Sequence, residues 1–200
     1  MKLYTNPASP FCRKVEILLH ETGRTDQVEE IPAAGHPTDP GTMPVDLNPI
    51  GKIPTLIAEG KALYDSRVIT RYFDGEFTAG LYPEANLFDI LTLEATADGI
   101  SEAAVLMVYE GRTRAEDKYD ETYVEAQWSK VTRALDHLEA TGMDLLNAPL
   151  HMGQIACAAA LGYLDFRHGA RDWRATHPNL AQWYDAFAKR PSMQATNPAG

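Results

Sequence analysis

Cysteine is nearly missing from this chain of 200 residues: only Cys12 and Cys157 occur, far apart in sequence. That scarcity excludes a disulfide framework and makes a reducing cytosol the simplest compartment. Long apolar runs are missing too. None approaches the ~18 residues that a membrane span needs, and no charged-then-apolar leader precedes the first strand. A cytoplasmic location and no membrane partner are therefore expected. Positive charge is scarce, with 18 Lys and Arg against 28 Asp and Glu and a formal net charge of −10. This balance argues against nucleic acid or an anionic membrane surface as the main partner. No internal repeat or low-complexity tract appears.

What is present is the composition of an ordinary globular protein with a real core: 44% hydrophobic and 23% charged residues. Residues 1–5 read as a short strand. A helix is predicted from Pro10 to about Thr22, with proline in the tolerated first turn and Gly23 as terminator. Gln27–Ile31 reads as a second strand, and residues 32–45, rich in proline and glycine, as a loop. Residues 53–57 and 61–64 flank Glu59-Gly60 as a hairpin. A helix over 65–74 follows, capped by Asp65 or Ser66. Beyond Gly75 the pattern changes to helices alone, over about 87–111, 116–140 and 155–166, with a last one ending near Pro191. The run Ile155–Phe166 is apolar nearly all round and is expected to be a buried central helix. The reading is an α/β domain over 1–76, a linker over 77–86 and an all-α domain over 87–200.

Ser9-Pro10-Phe11-Cys12 carries the most chemistry. A strand turning directly into a helix leaves backbone N–H groups unpaired at the positive end of the macrodipole, which suits a thiolate. The spacing copies the Cys-Pro-x-Cys of dithiol redox proteins, with serine at the first position. One hydroxyl stands where an attacking thiol would be, so the sulfur would have to come from the substrate.

Three segments together resemble the glutathione S-transferase family: Ser9–Val15, Asn48-Pro49-Ile50-Gly51-Lys52-Ile53-Pro54-Thr55-Leu56, and Tyr64–Ile69. In this order and spacing, followed by a helical half, the resemblance is closest to bacterial cytosolic members. It implies a thioredoxin-like N-terminal domain followed by a helical one, and glutathione as cosubstrate with no resident cofactor. It further implies a cis bond at Pro54, which leaves the backbone N–H and C=O of Ile53 for the cysteinyl part of the peptide. Asp65 and Ser66 would hold the γ-glutamyl end, the carboxylate lying at a helix N-terminus. Lys52 and His36 are candidates for the glycyl carboxylate. The electrophile wall would include Phe11, Met107, Tyr109 and Arg112, and a homodimer is expected.

A free thiol titrates near 8.5, and lowering it by about two units takes about 2.7 kcal/mol at 1.36 per unit. The helix end supplies about 0.3–1 kcal/mol, up to about 2 when partly buried, and a hydrogen bond to the charged sulfur about 1.5–3 more. Ser9 is therefore the expected catalytic donor to a glutathione thiolate. Taken alone, Ser9 also reads as a plain N-cap, and the two roles are compatible because a cap uses the oxygen and the thiolate uses the proton. Cys12 is the competing catalytic candidate. It is either an inert buried thiol or the site of a mixed disulfide with glutathione, which would make the protein a peroxidase or thiol-disulfide reductase.

In the second half, Tyr109 and Arg112 lie three apart on one helical face, where a polar aromatic beside a cation suits a carbonyl or an anion; a plain surface pair is the alternative. His151 stands where the family has a Ser or Thr cap, and Gln154 is placed to reach back to it. Asp165 and Arg167 read as interdomain salt bridges. His168, Asp172 and His177 lack metal-ligand spacing, so no metal is expected. The classes left open are a glutathione transferase, a glutathione-dependent peroxidase or reductase through Cys12, and a non-catalytic scaffold.

Overall fold

The computed structural model describes residues 1–198. The chain divides into two compact units, Met1–Glu84 joined by the residues from Arg190 on, and Ala85–Lys189.

The first unit is built on strands β1 (Lys2–Thr5), β2 (Glu29–Pro32), β3 (Thr55–Ala58) and β4 (Lys61–Leu63), with helices α1 (Pro10–Glu21) and α2 (Ser66–Phe77). The sheet order is β2-β1-β3-β4. β1 and β2 run parallel, with α1 as the crossover that such a pair requires. β3 runs antiparallel to β1 and β4 antiparallel to β3. This mixed sheet with its helices is the thioredoxin-like arrangement expected. Period-two alternation puts Leu3 on the core face, directly opposite Leu56, and both are fully buried. Val15, Leu18 and Leu19 of α1 and Ile69 and Phe73 of α2 complete that core.

Local chemistry sets the element ends. Ser9 caps α1 and Pro10 occupies its first turn; Gly23 lies beyond the C-cap at φ +64°, in the left-handed region that glycine enters without penalty. Residues 25–27 wind into a 3₁₀ turn, so the second strand begins at Glu29 rather than Gln27. Glu59 and Gly60, both at positive φ, turn the β3–β4 hairpin. α2 runs three residues past its expected end at Asp74, to Phe77.

The second unit contains α3 (Leu87–Thr113), α4 (Glu121–His137), α5 (Met143–Leu146), α6 (Met152–His168), α7 (Trp173–Thr176) and α8 (Pro178–Phe187). The helix expected over 116–140 is shorter at its start. Residues 116–118 form a separate 3₁₀ turn, and Asp120 caps α4 by accepting the Tyr123 N–H at 3.0 Å. A π turn, Leu138–Gly142, follows α4. The turn carries Glu139, whose carboxylate accepts the N–H groups of Asn179 (3.0 Å) and Leu180 (2.8 Å) and so caps α8 from outside. α6 is buried on every face from Met152 to Leu164 and packs along α3, as its apolar sequence foretold. Gly153 permits the close approach: a Cβ there would lie 2.9 Å from Leu93 Cδ2. At the α6 start, Gln154 Oε1 accepts the His151 N–H at 3.0 Å while its Nε2 donates to the carbonyls of Leu146 and Ala148. His151 Nε2 meets the Leu145 carbonyl at 3.1 Å, and its buried Nδ1 has no hydrogen-bond partner.

Two expectations are corrected. The all-α domain does not keep its final residues: α9 (Pro191–Ala195) belongs to the first unit. Arg190 pairs with Glu21 at 2.6 Å, Ser192 also donates to Glu21, and Arg13 donates to the Met193 carbonyl at 3.2 Å. Asp165 is no interdomain bridge but binds Arg174 (2.7 Å) and Trp173 Nε1 (2.8 Å), both inside the helical unit. Arg167 instead lies over the Phe166 ring at 3.8 Å. Among the described residues no helix is long and apolar enough to cross a membrane.

Candidate functional site

Sheet topology gathers the three motif segments of the first unit at one edge. β1 ends in the loop that leads to Ser9, and Tyr4 pairs with Thr55 at the start of β3, immediately after Pro54. β4 returns beside β3, with Leu63 opposite Leu56, and delivers Tyr64-Asp65 to the same edge. Residues distant in sequence meet because two antiparallel pairings bring strand starts and strand ends together.

Asn6 holds the first loop. Its Nδ2 donates to the Ala33 carbonyl at 3.0 Å, and its Oδ1 and carbonyl accept the N–H groups of Ala8 and Ser9. Ser9 is half-buried, and its Oγ accepts the Cys12 N–H at 3.3 Å. The oxygen thus serves as the cap of α1. Phe11 is half-buried beside it. Thr5 is buried and donates to Glu16, so it is engaged inside the core. Burial raises the Glu16 carboxyl above its ordinary range, against the smaller opposing pull of that Thr5 bond.

Cys12 does not fit the catalytic role. Its side chain is fully buried, and burial pushes its thiol up to about 12 against the weaker pull of the nearby Ser9 and Thr5 hydroxyls. A thiol there is neither accessible nor ionised at neutral pH. Cys157 is equally buried on α6, with its thiol also raised by desolvation.

The Ile53–Pro54 bond is cis. Ile53 has no backbone hydrogen bond among the described residues, which leaves a donor and an acceptor side by side at the sheet edge. Sequence reading placed no role on Asn48, yet it holds this loop. Fully buried, it donates to the Lys52 carbonyl (3.0 Å) and Thr55 Oγ1 (3.0 Å) and accepts the Ile50 N–H (3.1 Å). The signal was its place at the head of the Asn48–Leu56 motif. Lys52 itself is exposed, with its side chain toward solvent.

Asp65, joined to Tyr64 by a cis peptide, caps α2 by accepting the Arg67 N–H at 3.0 Å and pairs with the Arg67 guanidinium at 3.2 Å. Burial works to raise its carboxyl, but the Arg67 contacts hold it below the usual range. Ser66 opens α2 almost fully buried, 2% exposed, and its hydroxyl has no hydrogen-bond partner among the described residues. His36 lies in the long loop after β2, exposed, its Nδ1 2.8 Å from Thr38 Oγ1 in a turn closed against Asp39. The structure does not bring it to Ser9, Pro54 or Ser66 through any hydrogen bond.

In the helical unit, Met107 is buried, Tyr109 half-buried and Arg112 exposed on the last turns of α3. On α6, which packs along α3, Tyr163 is buried, and that burial raises its phenol; Arg167, Tyr109 and Arg112 also act on it electrostatically. Tyr163 was not singled out in the sequence, because the apolar run of α6 reads as core throughout, and Arg167 was read there as a salt-bridge residue. Among the described residues no three His, Cys, Asp or Glu side chains gather as a metal site; His168 meets the Ala104 carbonyl, and His177 meets Asp136 and the Trp173 carbonyl.

Residues 8–76 match the family model of the glutathione S-transferase N-terminal domain, and 121–186 match that of its C-terminal domain. An uncharacterised GST-like protein of Escherichia coli, YibF, is 35% identical over 206 residues, covering 99% of this chain and 98% of that one. A glutathione transferase family member from Pseudomonas fluorescens Pf-5, solved with bound glutathione, superposes with a TM-score of 0.96 at 44% identity, covering 100% of this chain and 99% of that one. A further structure of a Pf-5 family member, with bound S-(propanoic acid)-glutathione, covers both chains fully at 43% identity and a TM-score of 0.91. With these likenesses running the length of both units, the chain belongs to the glutathione S-transferase family.

Proposed function

We propose that this protein is a glutathione transferase that joins the glutathione sulfur to a small electrophile. The observation that carries the reading is the sheet edge of the first unit. It presents the unpaired Ile53 backbone beside cis-Pro54, the Ser66 hydroxyl at the start of α2, which no protein group engages among the described residues, and Ser9 at the start of α1. Polar groups that no internal partner fully engages are open to a ligand's hydrogen bonds. A γ-glutamyl-cysteinyl-glycine supplies the matching groups. Its cysteinyl amide pairs with Ile53, its γ-glutamyl carboxylate takes the Ser66 hydroxyl and the α2 N-terminus, and its thiol faces Ser9. Asp65, held ionised, is the counter-charge for the ammonium. Lys52 and His36 are assigned to the glycyl carboxylate. The bound ligands of the Pseudomonas relatives support glutathione and an S-substituted product as the occupants.

In the proposed reaction the thiol loses its proton to solvent, and the Ser9 O–H donates to the resulting thiolate. The sulfur electron pair then forms the new S–C bond at the electrophilic carbon, and the leaving group departs with the pair of the bond that breaks. Burial of Cys12 disfavours the alternative that passes through a protein mixed disulfide. On the same reading the protein acts as a cytoplasmic homodimer without a resident cofactor.

Calorimetric titration with glutathione, followed by turnover of a chlorinated dinitrobenzene and of an organic hydroperoxide, tests the proposal. Binding with conjugation supports it. Binding without turnover of either compound makes the protein a scaffold, and hydroperoxide turnover alone makes it a peroxidase. Absence of binding refutes the whole reading.

A further inference from the structure

The turn that carries Ser9 hangs on the side chain of Asn6. Asn6-Pro7-Ala8-Ser9 closes through the Ser9 N–H to the Asn6 carbonyl at 3.0 Å. Asparagine stands first in this four-residue turn and proline second, the places those residues favour. Asn6 Oδ1 accepts the Ala8 N–H at 3.0 Å and holds the same turn. Its Nδ2 donates to the Ala33 carbonyl at 3.0 Å, just beyond the end of β2. Ala33 is 2% exposed, and its N–H donates to the Thr5 carbonyl at 2.9 Å as the last rung of the parallel β1–β2 ladder. In such a ladder one residue bonds through its N–H and its C=O to residues two apart on the neighbour, so the Ala33 carbonyl would next take the N–H of residue 7. Residue 7 is proline and has none. The Asn6 amide takes that place and ties the turn to the sheet where the strand leaves it. Behind the turn, the buried Thr5 hydroxyl donates to Glu16 of α1. On its far side Ser9 is continuous with α1: its carbonyl accepts the Arg13 N–H at 3.0 Å, and its Oγ accepts the Cys12 N–H at 3.3 Å.

We propose that Asn6 is a positioning residue for the Ser9 hydroxyl, joining the turn to the end of β2 so that the Ser9 oxygen keeps one place at the start of α1. The role rests on the transferase reading, in which Ser9 donates to the glutathione sulfur. A hydrogen bond weakens steeply as its angle and distance depart from the optimum, and a misplacement of about 1 Å can cost about a hundredfold in rate. Without the Asn6 amide the turn keeps its backbone bond but loses its tie to the sheet, and the Ala33 carbonyl loses its partner. The amide nitrogen and oxygen of Asn6 each bond a backbone group of the protein. Its effect therefore passes to the sulfur through Ser9, and not by contact with the ligand.

The test follows the thiolate absorbance of glutathione bound to the full chain, and kcat/KM for chlorodinitrobenzene, across pH in Asn6→Ala, Ser9→Ala and the double variant. Asn6→Ala should raise the thiol midpoint by about half to one unit, a loss of thiolate of about threefold to tenfold below the midpoint, and lower kcat/KM by the same factor at acid pH. Binding of S-methylglutathione, which has no thiol to ionise, should change less than about twofold. Asn6→Ser can still accept the Ala8 N–H but is too short to reach Ala33. It should resemble Asn6→Ala, and it carries the test if the alanine variant does not fold. In the Ser9→Ala background the Asn6 substitution should move the midpoint no further, because residues that act through one another are not additive. If Ser9→Ala shifts the midpoint but Asn6→Ala does not, or if the two shifts add in full, the positioning role alone is refuted. A serine variant that behaves as the unaltered protein refutes the tie to Ala33. A lowered urea midpoint with an unmoved thiol midpoint would make Asn6 a structural turn residue only. If glutathione does not bind, or Ser9→Ala leaves the thiol midpoint in place, the Ser9 reading has failed and the role of Asn6 falls with it.

Discussion

Replacing Ser9 by alanine separates its two roles. The side chain caps α1 through one bond, Cys12 N–H to Oγ at 3.3 Å. Losing a serine cap costs about 0.5–2 kcal/mol, and the length of this bond places the loss toward the lower end. Such a loss is visible as a modest shift of a urea midpoint and says nothing of catalysis. The donor role predicts something different. A hydrogen bond to a charged sulfur contributes about 1.5–3 kcal/mol, and at 1.36 kcal/mol per unit its removal raises the glutathione thiol midpoint in the complex by about 1–2 units. The α1 N-terminus remains and keeps about 0.3–1 kcal/mol of thiolate stabilisation, so the variant should still bind glutathione and turn over at high pH. The assay is the thiolate absorbance of bound glutathione, and kcat/KM, each followed between pH 5.5 and 9.5. Loss should be greatest at the acid end and shrink as pH rises. A variant destabilised as expected but with an unmoved thiol midpoint would show that Ser9 is a cap and nothing more. Ser9→Thr, which keeps cap and hydroxyl, should restore both.

Cys12→Ala should keep glutathione conjugation while costing about 1–3 kcal/mol of stability through the small cavity at a fully buried site; intact-mass analysis after glutathione disulfide should find no adduct on the folded protein. Asn48→Ala removes the three hydrogen bonds that hold the loop before cis-Pro54, so KM for glutathione should rise about tenfold, the equivalent of one or two net hydrogen bonds at about 1 kcal/mol each, with kcat less affected. His151 is lowered from the ordinary histidine value by burial, partly opposed by its bond to the Leu145 carbonyl. Its contribution is therefore complete above the unfolded value near 6.5 and is lost as pH falls through the folded value. The urea midpoint should drop between pH 7.5 and 5, and His151→Ser, which supplies a neutral cap, should flatten that part of the profile; an unchanged slope would disprove the assignment.

Much of this was legible in the residues because it depends on neighbours in the chain. Serine before proline places a cap at α1, and Asp65 before an amphipathic run places one at α2. Glu59-Gly60 between apolar segments forms a hairpin, and an apolar surface all round Ile155–Phe166 leaves the core as its only place. Motif spacing likewise marked Ser9, Pro54 and Ser66. Boundaries were less legible where a local alternative competed, as in the 3₁₀ turn that delays β2 and the π turn that follows α4. What the chain order could not contain was decided by tertiary structure. The pairing of Glu21 with Arg190 and Ser192 assigns α9 to the first unit. Antiparallel register brings Pro54 and Asp65 to the edge where α1 begins. Complete burial turns Cys12 from a possible nucleophile into core. The packing of α3 along α6 buries Tyr163 and Cys157. Capping and periodicity act over three or four residues and are written in sequence, whereas desolvation and the meeting of charges depend on which surfaces pack together, and only the folded chain specifies that.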